Sequence, residues 1–422
     1  MLRYLYTLLL FLSYPIYANY LRRKYKTHTS CNQRFSERIG FYTQKMPKKP
    51  CIWIHTASFG EAKGMTTLID WLITTYPNKH ILITTTTPSG ADFITTTYTK
   101  KITHSYFPFD LPPVIHRFIH HFKPTLLLVM EKELWPNLYH ILANKKIPII
   151  LANARIDKKS VQHYQRIKGL ARKTLNHCHY ILSQSETDKG HFLSLGVNKE
   201  KLKTCGNLKF ELSINEDAIK KGQDFKQTRC PQRFIYSCVS TRDGEETLLL
   251  TTLKSLKKTQ ENLLLVLIPR HPERKNDILN FCKKNKLSVE CHSANNKTPL
   301  STDIYLVDTL GEAIPFCACA DLIFVGGSLV PIGGHNILEP AALEKCILVG
   351  PYMDHYKSIC NTFKINKAIH QLTHTNDLES ISLQLIQNNR IRQETATKAK
   401  KLLQASKGSL EKHCEIIQTV LN

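Results

Sequence analysis

From Cys51 onward the chain alternates between two patterns. Short runs of β-branched and aliphatic residues are followed by longer stretches with an apolar residue every three or four positions. The short runs predict strands at CIWIHTA (51–57), ILITTTT (81–87), THSYF (103–107), TLLLVM (125–130), PIILANA (148–154) and YILSQS (180–185). Stretches such as EAKGMTTLIDWLITTY (61–76) predict amphipathic helices between them. A polar stretch at 211–232, ending in Cys230-Pro231, interrupts this rhythm and reads as a linker. A second series follows: RFIYSCV (233–239), LLLVLIP (263–269), LSVECH (287–292), IYLVDT (304–309), LIFVGGS (322–328) and CILVG (346–350). Strands alternating with helices imply parallel sheets with helical crossovers. The expected class is α/β, with two doubly wound Rossmann-like domains at 22–210 and 233–400 and a C-terminal helix at 401–422.

The amino terminus breaks the pattern. No charged residue occurs from Tyr4 to Leu21, with tyrosines near both ends. Arg22, Arg23 and Lys24 follow, and the chain from Tyr20 to Pro50 holds nine Lys/Arg against one acid, Glu37. Residues 1–21 therefore read as a membrane anchor helix, either spanning or lying in the interface. A signal peptide would carry its charges before the apolar run. The basic flank keeps the body on the cytoplasmic face and favours anionic headgroups by about 1 kcal/mol per basic residue near the surface.

Composition adds a partner class. Lys+Arg total 58 against 34 Asp+Glu, a net charge of +24. An excess of this size favours a polyanion: nucleic acid, an anionic membrane or a phosphorylated substrate. Hydrophobic residues at 42% exclude a largely disordered chain. The 13 cysteines are odd in number and lack any Cys-x-x-Cys pair, which argues for a reducing compartment and against zinc. His116, His120 and His121 share a basic stretch that reads as a solvated face rather than a metal site.

Ligands of doubly wound sheets sit beyond the carboxyl ends of the strands. The richest such stretch is GGSLVPIGGHNILEPAALEK (326–345), where paired glycines precede His335-Asn336 and Glu339-Pro340. Glycines let a backbone approach a ligand, and a helix start attracts phosphate. Pro269-Arg270-His271-Pro272-Glu273-Arg274 puts a guanidinium where it can clamp a phosphate, unless Glu273 takes it. Asp308-Thr309-Leu310-Gly311-Glu312 offers a backbone turn that could read a base edge. In the first half, His55-Thr56-Ala57-Ser58-Phe59-Gly60-Glu61 ends a strand and places Glu61 in the first turn of a helix. That setting favours the ionised carboxylate a general base needs, and equally suits a glutamate that only serves the helix dipole. Glu131 and Glu133 end the fourth strand, and Lys209 lies in GNLKF before the linker.

Together these segments resemble the 3-deoxy-D-manno-octulosonic acid (Kdo) transferases of lipid A assembly. The resemblance rests on SERIGFY (36–42), HTASFGE (55–61), TTTTPSG (84–90), ELWPN (133–137), LANARI (151–156), GNLKFE (206–211), PRHPER (269–274), DTLGE (308–312) and GGSLVPIGGHNILEPA (326–341). It implies a B-type (GT-B) glycosyltransferase whose two domains face one another across a cleft. It also implies an inverting, metal-independent transfer of Kdo from CMP-Kdo to a glucosamine hydroxyl of a lipid A precursor (lipid IVA), at the inner membrane, with no cofactor and no nucleic-acid partner. By the same resemblance Glu61 accepts the proton and Arg270 stabilises the leaving phosphate. CMP is held by Pro269, Arg270, Leu310, Gly311, Glu312, Asn336, Ile337, Leu338 and Glu339. Lys132 stands where the family commonly has threonine, Arg242 where it commonly has histidine, and Glu211 where aspartate is usual. The alternatives are another B-type transferase or epimerase that uses a UDP-sugar, and a basic membrane-tethered binding protein.

Overall fold

The structure, a computed structural model, describes residues 2–26, 28–296 and 301–421. Met1 and Asn422, the outer ends of the expected anchor and C-terminal helix, lie outside them. The chain divides into two compact units, Met1–Glu211 with Lys407–Asn422, and Leu212–Ser406.

The first unit is built on seven parallel strands: β1 (Cys51–Thr56), β2 (His80–Thr85), β3 (Thr103–Tyr106), β4 (Pro124–Met130), β5 (Ile149–Ala154), β6 (Tyr180–Ser183) and β7 (Leu202–Thr204). Their order is β3-β2-β1-β4-β5-β6-β7, so the winding reverses between β1 and β4. Strand side chains alternate between faces. In β1, Cys51 and Trp53 enter one apolar cluster, while Ile52 and Ile54 enter another. Both faces of the sheet are therefore core, which is why its strands are apolar throughout.

The second unit repeats the design with β8 (Phe234–Thr241), β9 (Leu263–Pro269), β10 (Val289–Cys291), β11 (Ile304–Leu306), β12 (Leu322–Val325), β13 (Ile347–Val349) and β14 (His370–Gln371). The order is β10-β11-β9-β8-β12-β13-β14, with the reversal between β8 and β12. The expected strands are present. The short edge strands β7 and β14 were not anticipated, because two or three residues carry no readable periodicity.

Three expected boundaries differ. Most of the 211–232 stretch is a helix, Glu216–Arg229, packed on the second unit. Its Gly222 leaves no room for a Cβ against Pro315, and Phe225 packs on Tyr305 and Phe316. The span 401–422 is not one helix. The helix Asn389–Ala405 ends before Gly408, and a separate helix, Ser409–Leu421, belongs to the first unit. The stretch 61–76 forms two helices, Phe59–Gly64 and Thr66–Thr75, divided at Met65.

The amino-terminal helix runs from Leu2 to Lys24 and packs on the first unit. Among the described residues no helix is long and apolar enough to cross a membrane. Its polar groups point inward: Tyr6 Oη donates to Asp110 Oδ2 (2.9 Å), and Arg3 Nη1 and Thr7 Oγ1 donate to Asn137 Oδ1 (3.0 and 2.9 Å). Asp110 also accepts the backbone N–H of Asn137 and Leu138. Leu5, Leu8, Leu9, Leu12 and Ile16 form a stripe on the opposite side, and Ile16 is 76% exposed.

Candidate active site

At the carboxyl end of β1 the chain turns through Ala57 into the helix Phe59–Gly64. Ser58 caps that helix by accepting the N–H of Glu61 (3.4 Å). The Glu61 carboxylate folds back: Ala57 N–H donates to Oε2 (2.7 Å) and Ser58 Oγ to Oε1 (3.3 Å). Burial raises the Glu61 pKa to about 7, the Glu131 charge adds to it, and the Ala57 and Ser58 hydrogen bonds only partly oppose. The expectation that the helix start would keep this group ionised is thereby corrected. Desolvation outweighs the dipole, and the carboxyl is poised to take up or release a proton near neutrality.

Glu131, one residue beyond β4, has φ 60, a left-handed conformation that non-glycine residues seldom adopt. Its N–H bonds Ala152 O (3.0 Å) and its Oε1 accepts from Lys209 Nζ (2.9 Å). Lys209 is set by Asn207, whose side chain caps the turn. The next two residues diverge. Lys132 pairs with Asp157 (2.8 Å) and bonds Ser160 (3.0 Å). Glu133 lies 3.8 Å from Nε2 of the buried His55, whose ring stacks on Phe107. Glu61, Glu131, Glu133 and Lys209 thus meet at the winding reversal of the first sheet.

In the second unit the matching position is the end of β8. Ser240 (φ 57) interrupts the register with β9 there. Arg270 N–H bonds Thr241 O (2.9 Å), which sets Arg270 beside Arg242 at adjacent strand ends. Glu245, wholly buried, accepts four backbone N–H groups: Arg242, Gly327, Ser328 and Leu329, all at 2.7–2.8 Å. This carboxylate pins the glycine loop to the end of β8. Gly327 (φ 68) has no room for a Cβ, because the His335 ring lies against it. Arg242 Nε donates to His335 Nε2 (3.2 Å), and its Nη1 lies 2.6 Å from His271 Nε2. Burial, then Arg242 and Arg270, lower the His335 pKa to about 4, so the ring is neutral.

The other expected donor residues follow β9, β11 and β12 of the same sheet. Pro269 is buried at the end of β9 and Arg270 is exposed. Glu273 takes His271 (3.0 Å). Asn336 Oδ1 accepts the N–H of Leu338 (3.1 Å), Ile337 and Leu338 are buried, and Glu339 lies in the first turn of Leu338–Ala342. That helix begins at Leu338 and is a single short turn. Beyond β11, Leu310 is 75% exposed, Gly311 has φ 87, and Glu312 accepts from Thr309 (2.8 Å) and faces His292 (2.5 Å). The sequence reading brought together one set of residues in each unit. It missed Glu245 and the ring contacts of Arg242. The acid pair Glu245-Glu246 just after a strand was the available signal. Among the described residues no group of three or more His, Cys, Asp or Glu is arranged to hold a metal, and the cysteines are unpaired.

Comparison with known proteins gives the family and the fold. The family model for 3-deoxy-D-manno-octulosonic-acid transferase (kdotransferase) matches residues 33–212. The chain is 33% identical to the 3-deoxy-D-manno-octulosonic acid transferase of Haemophilus influenzae, over 100% of this chain and 99% of that one. It is 32% identical to the corresponding transferase of Rickettsia bellii, over 92% of each. A glycosyltransferase from Rickettsia africae shares the fold, with a TM-score of 0.54 and 15% identity over 89% of this chain and 100% of that one. The chain has the GT-B type of α/β architecture, and it belongs to the Kdo transferase family of glycosyltransferases.

Proposed function

We propose that this Kdo transferase takes its sugar from CMP-Kdo and passes it, with inversion, to a glucosamine hydroxyl of a lipid A precursor. The hydroxyl oxygen attacks the anomeric carbon of Kdo, the bond from that carbon to the phosphate oxygen breaks, and CMP departs. Glu61 takes the hydroxyl proton. The observation that carries this reading is the Glu61 carboxyl, half-buried at a winding reversal with its pKa raised to about 7. A base of that strength is ionised often enough to act and basic enough to accept the proton.

The departing phosphate needs fixed positive charge. Arg270, at the end of β9, supplies it, next to the loop pinned by Glu245. Pro269, Leu310, Gly311, Glu312, Asn336, Ile337, Leu338 and Glu339 would complete the nucleotide site around it. No cofactor or metal is assigned a part. Glu131 and Lys209, paired beside Glu61, are suited to hold hydroxyl groups of the acceptor.

The amino-terminal helix suits a place in the membrane interface at the cytoplasmic face. Its outward stripe of leucines and Ile16 would enter the acyl boundary, with Arg22, Arg23 and Lys24 at the headgroups.

The test is incubation with CMP-Kdo and tetra-acylated lipid A precursor, with products weighed by mass spectrometry. Wild type adds Kdo, and Glu61→Ala adds none while still binding CMP. Near-normal turnover by Glu61→Ala refutes the assignment. Preference for UDP over CMP in competition binding refutes the donor.

A further inference from the structure

The acids around the end of β8 are already engaged. Arg274 takes Asp243 (2.6 Å) and Glu246 (2.8 Å). Glu245 is saturated by backbone N–H groups, and Glu273 faces His271. Arg242 forms no ion pair with a carboxylate among the described residues. Its side-chain contacts are two imidazole nitrogens. One of these rings, His335, is fixed by its close seat on Gly327 and is neutral, so it orients the guanidinium without offsetting its charge. Ser240, in its left-handed conformation, sets the direction in which Arg242 leaves the strand. The hydrogen bond from Arg270 N–H to Thr241 O then puts a second guanidinium at the adjacent strand end. The result is two arginines side by side, one of them held by the imidazole nitrogens of His335 and His271 rather than by a carboxylate.

The donor proposed above has a matching charge pattern. The anomeric carbon of Kdo bears both the phosphate oxygen and a carboxylate, so two anions lie a few bonds apart. Two anions at that spacing call for two cations held side by side, and a guanidinium matches a carboxylate in planar, two-point geometry. We infer that Arg242 binds the carboxylate of the transferred sugar acid while Arg270 holds the phosphate. The inference rests on the CMP-Kdo reading and adds to it a residue that selects an acidic over a neutral sugar.

CMP lacks the carboxylate, and that separates the two roles. The full-length chain and its Arg242→Ala, Arg242→Lys and Arg270→Ala variants are titrated with CMP by calorimetry, and kcat/KM for CMP-Kdo is measured for each. A charged hydrogen bond of the usual strength corresponds to roughly 10–100-fold. Arg242→Ala should therefore lose about that factor in kcat/KM for CMP-Kdo, while its CMP affinity stays within about threefold of wild type. Arg242→Lys should fall between, and Arg270→Ala should weaken both measurements. Equal losses of CMP affinity and donor kinetics in Arg242→Ala would make it a phosphate ligand and overturn the inference. An unchanged kcat/KM would place it outside the site. If Arg242→Ala does not fold, Arg242→Lys is judged by the same two readings. Failure of the donor reading looks different: wild type itself then shows no affinity for CMP, and the role of Arg242 falls with it.

Discussion

A carboxyl whose ordinary pKa of 4.5 is raised to about 7 has a cost in stability with a definite sign. In the unfolded chain Glu61 releases its proton near pH 4.5, whereas in the folded chain it holds the proton to about pH 7. Folding is progressively disfavoured across that window, and the full penalty remains above it. Glu61→Gln removes the charge and keeps an acceptor for Ala57 N–H. The variant should melt above wild type at pH 8.5, with the difference much reduced at pH 5.5, and it should have no transferase activity. Wild-type activity should rise with pH through about 7 as the base ionises. Thermal melts at the two pH values decide this, and an equal difference at both removes the buried-charge account. The sequence placed Glu61 at a helix start after a strand, and that much was legible. Its protonation was not, because the group that reinforces burial is Glu131, 70 residues away in sequence and beside it only once β4 has paired with β1.

At the level of elements, strands buried on both faces announced themselves as apolar runs, and the helices between them by their period. Less legible were elements whose packing face mixes polar, small and aromatic residues. The helix Glu216–Arg229 packs through Gly222 and Phe225. The amino-terminal helix docks through Arg3, Tyr6 and Thr7 in its first turns and through Tyr14, Ala18 and Leu21 farther on, so its inner side is part polar and does not read as a continuous core stripe. The apolar run there had pointed to the membrane, and the structure turns Leu5, Leu8, Leu9, Leu12 and Ile16 away from the unit the helix sits on. These side chains are exposed and belong to no buried cluster among the described residues, so replacing them should leave folding intact. Leu8→Ser, Leu12→Ser and Ile16→Ser together should lower partitioning onto anionic vesicles by at least about tenfold, because each apolar side chain withdrawn from water contributes on the order of 1.5–3 kcal/mol. Flotation with phosphatidylglycerol-containing vesicles measures it. Undiminished binding would leave the basic residues as the whole attachment.

For the molecule as a whole, the chain path links the helix Ser409–Leu421 to the Glu61, Glu131 and Lys209 cluster of the first unit. After completing the second unit it returns, and the helix Ser409–Leu421 joins the first. Glu211 accepts the N–H of Ser409 (2.7 Å) and Leu410 (3.2 Å), and Ile417 is fully buried in the cluster that holds Ile54 and Leu68. His413, neutral with its pKa lowered to about 4 by burial, accepts the N–H of Asn153 (3.1 Å). Asn153 is left-handed at φ 50, and its Oδ1 accepts the N–H of Leu208 (2.9 Å), the residue before the Lys209 that binds Glu131. The return helix thus supports the left-handed residue near the end of β5, and through it the lysine paired with Glu131 beside Glu61. A chain ending at Ser406 would expose the cavity left by Ile417 and leave the Asn153 N–H unpaired, a loss of several kcal/mol confined to one unit. Calorimetry should then show one melting transition lowered by several degrees and the other unmoved. CMP binding should persist and transfer should be lost. A common downward shift of both transitions would mean that the two units unfold together, and unimpaired transfer would mean that the Asn153 turn holds its shape without His413.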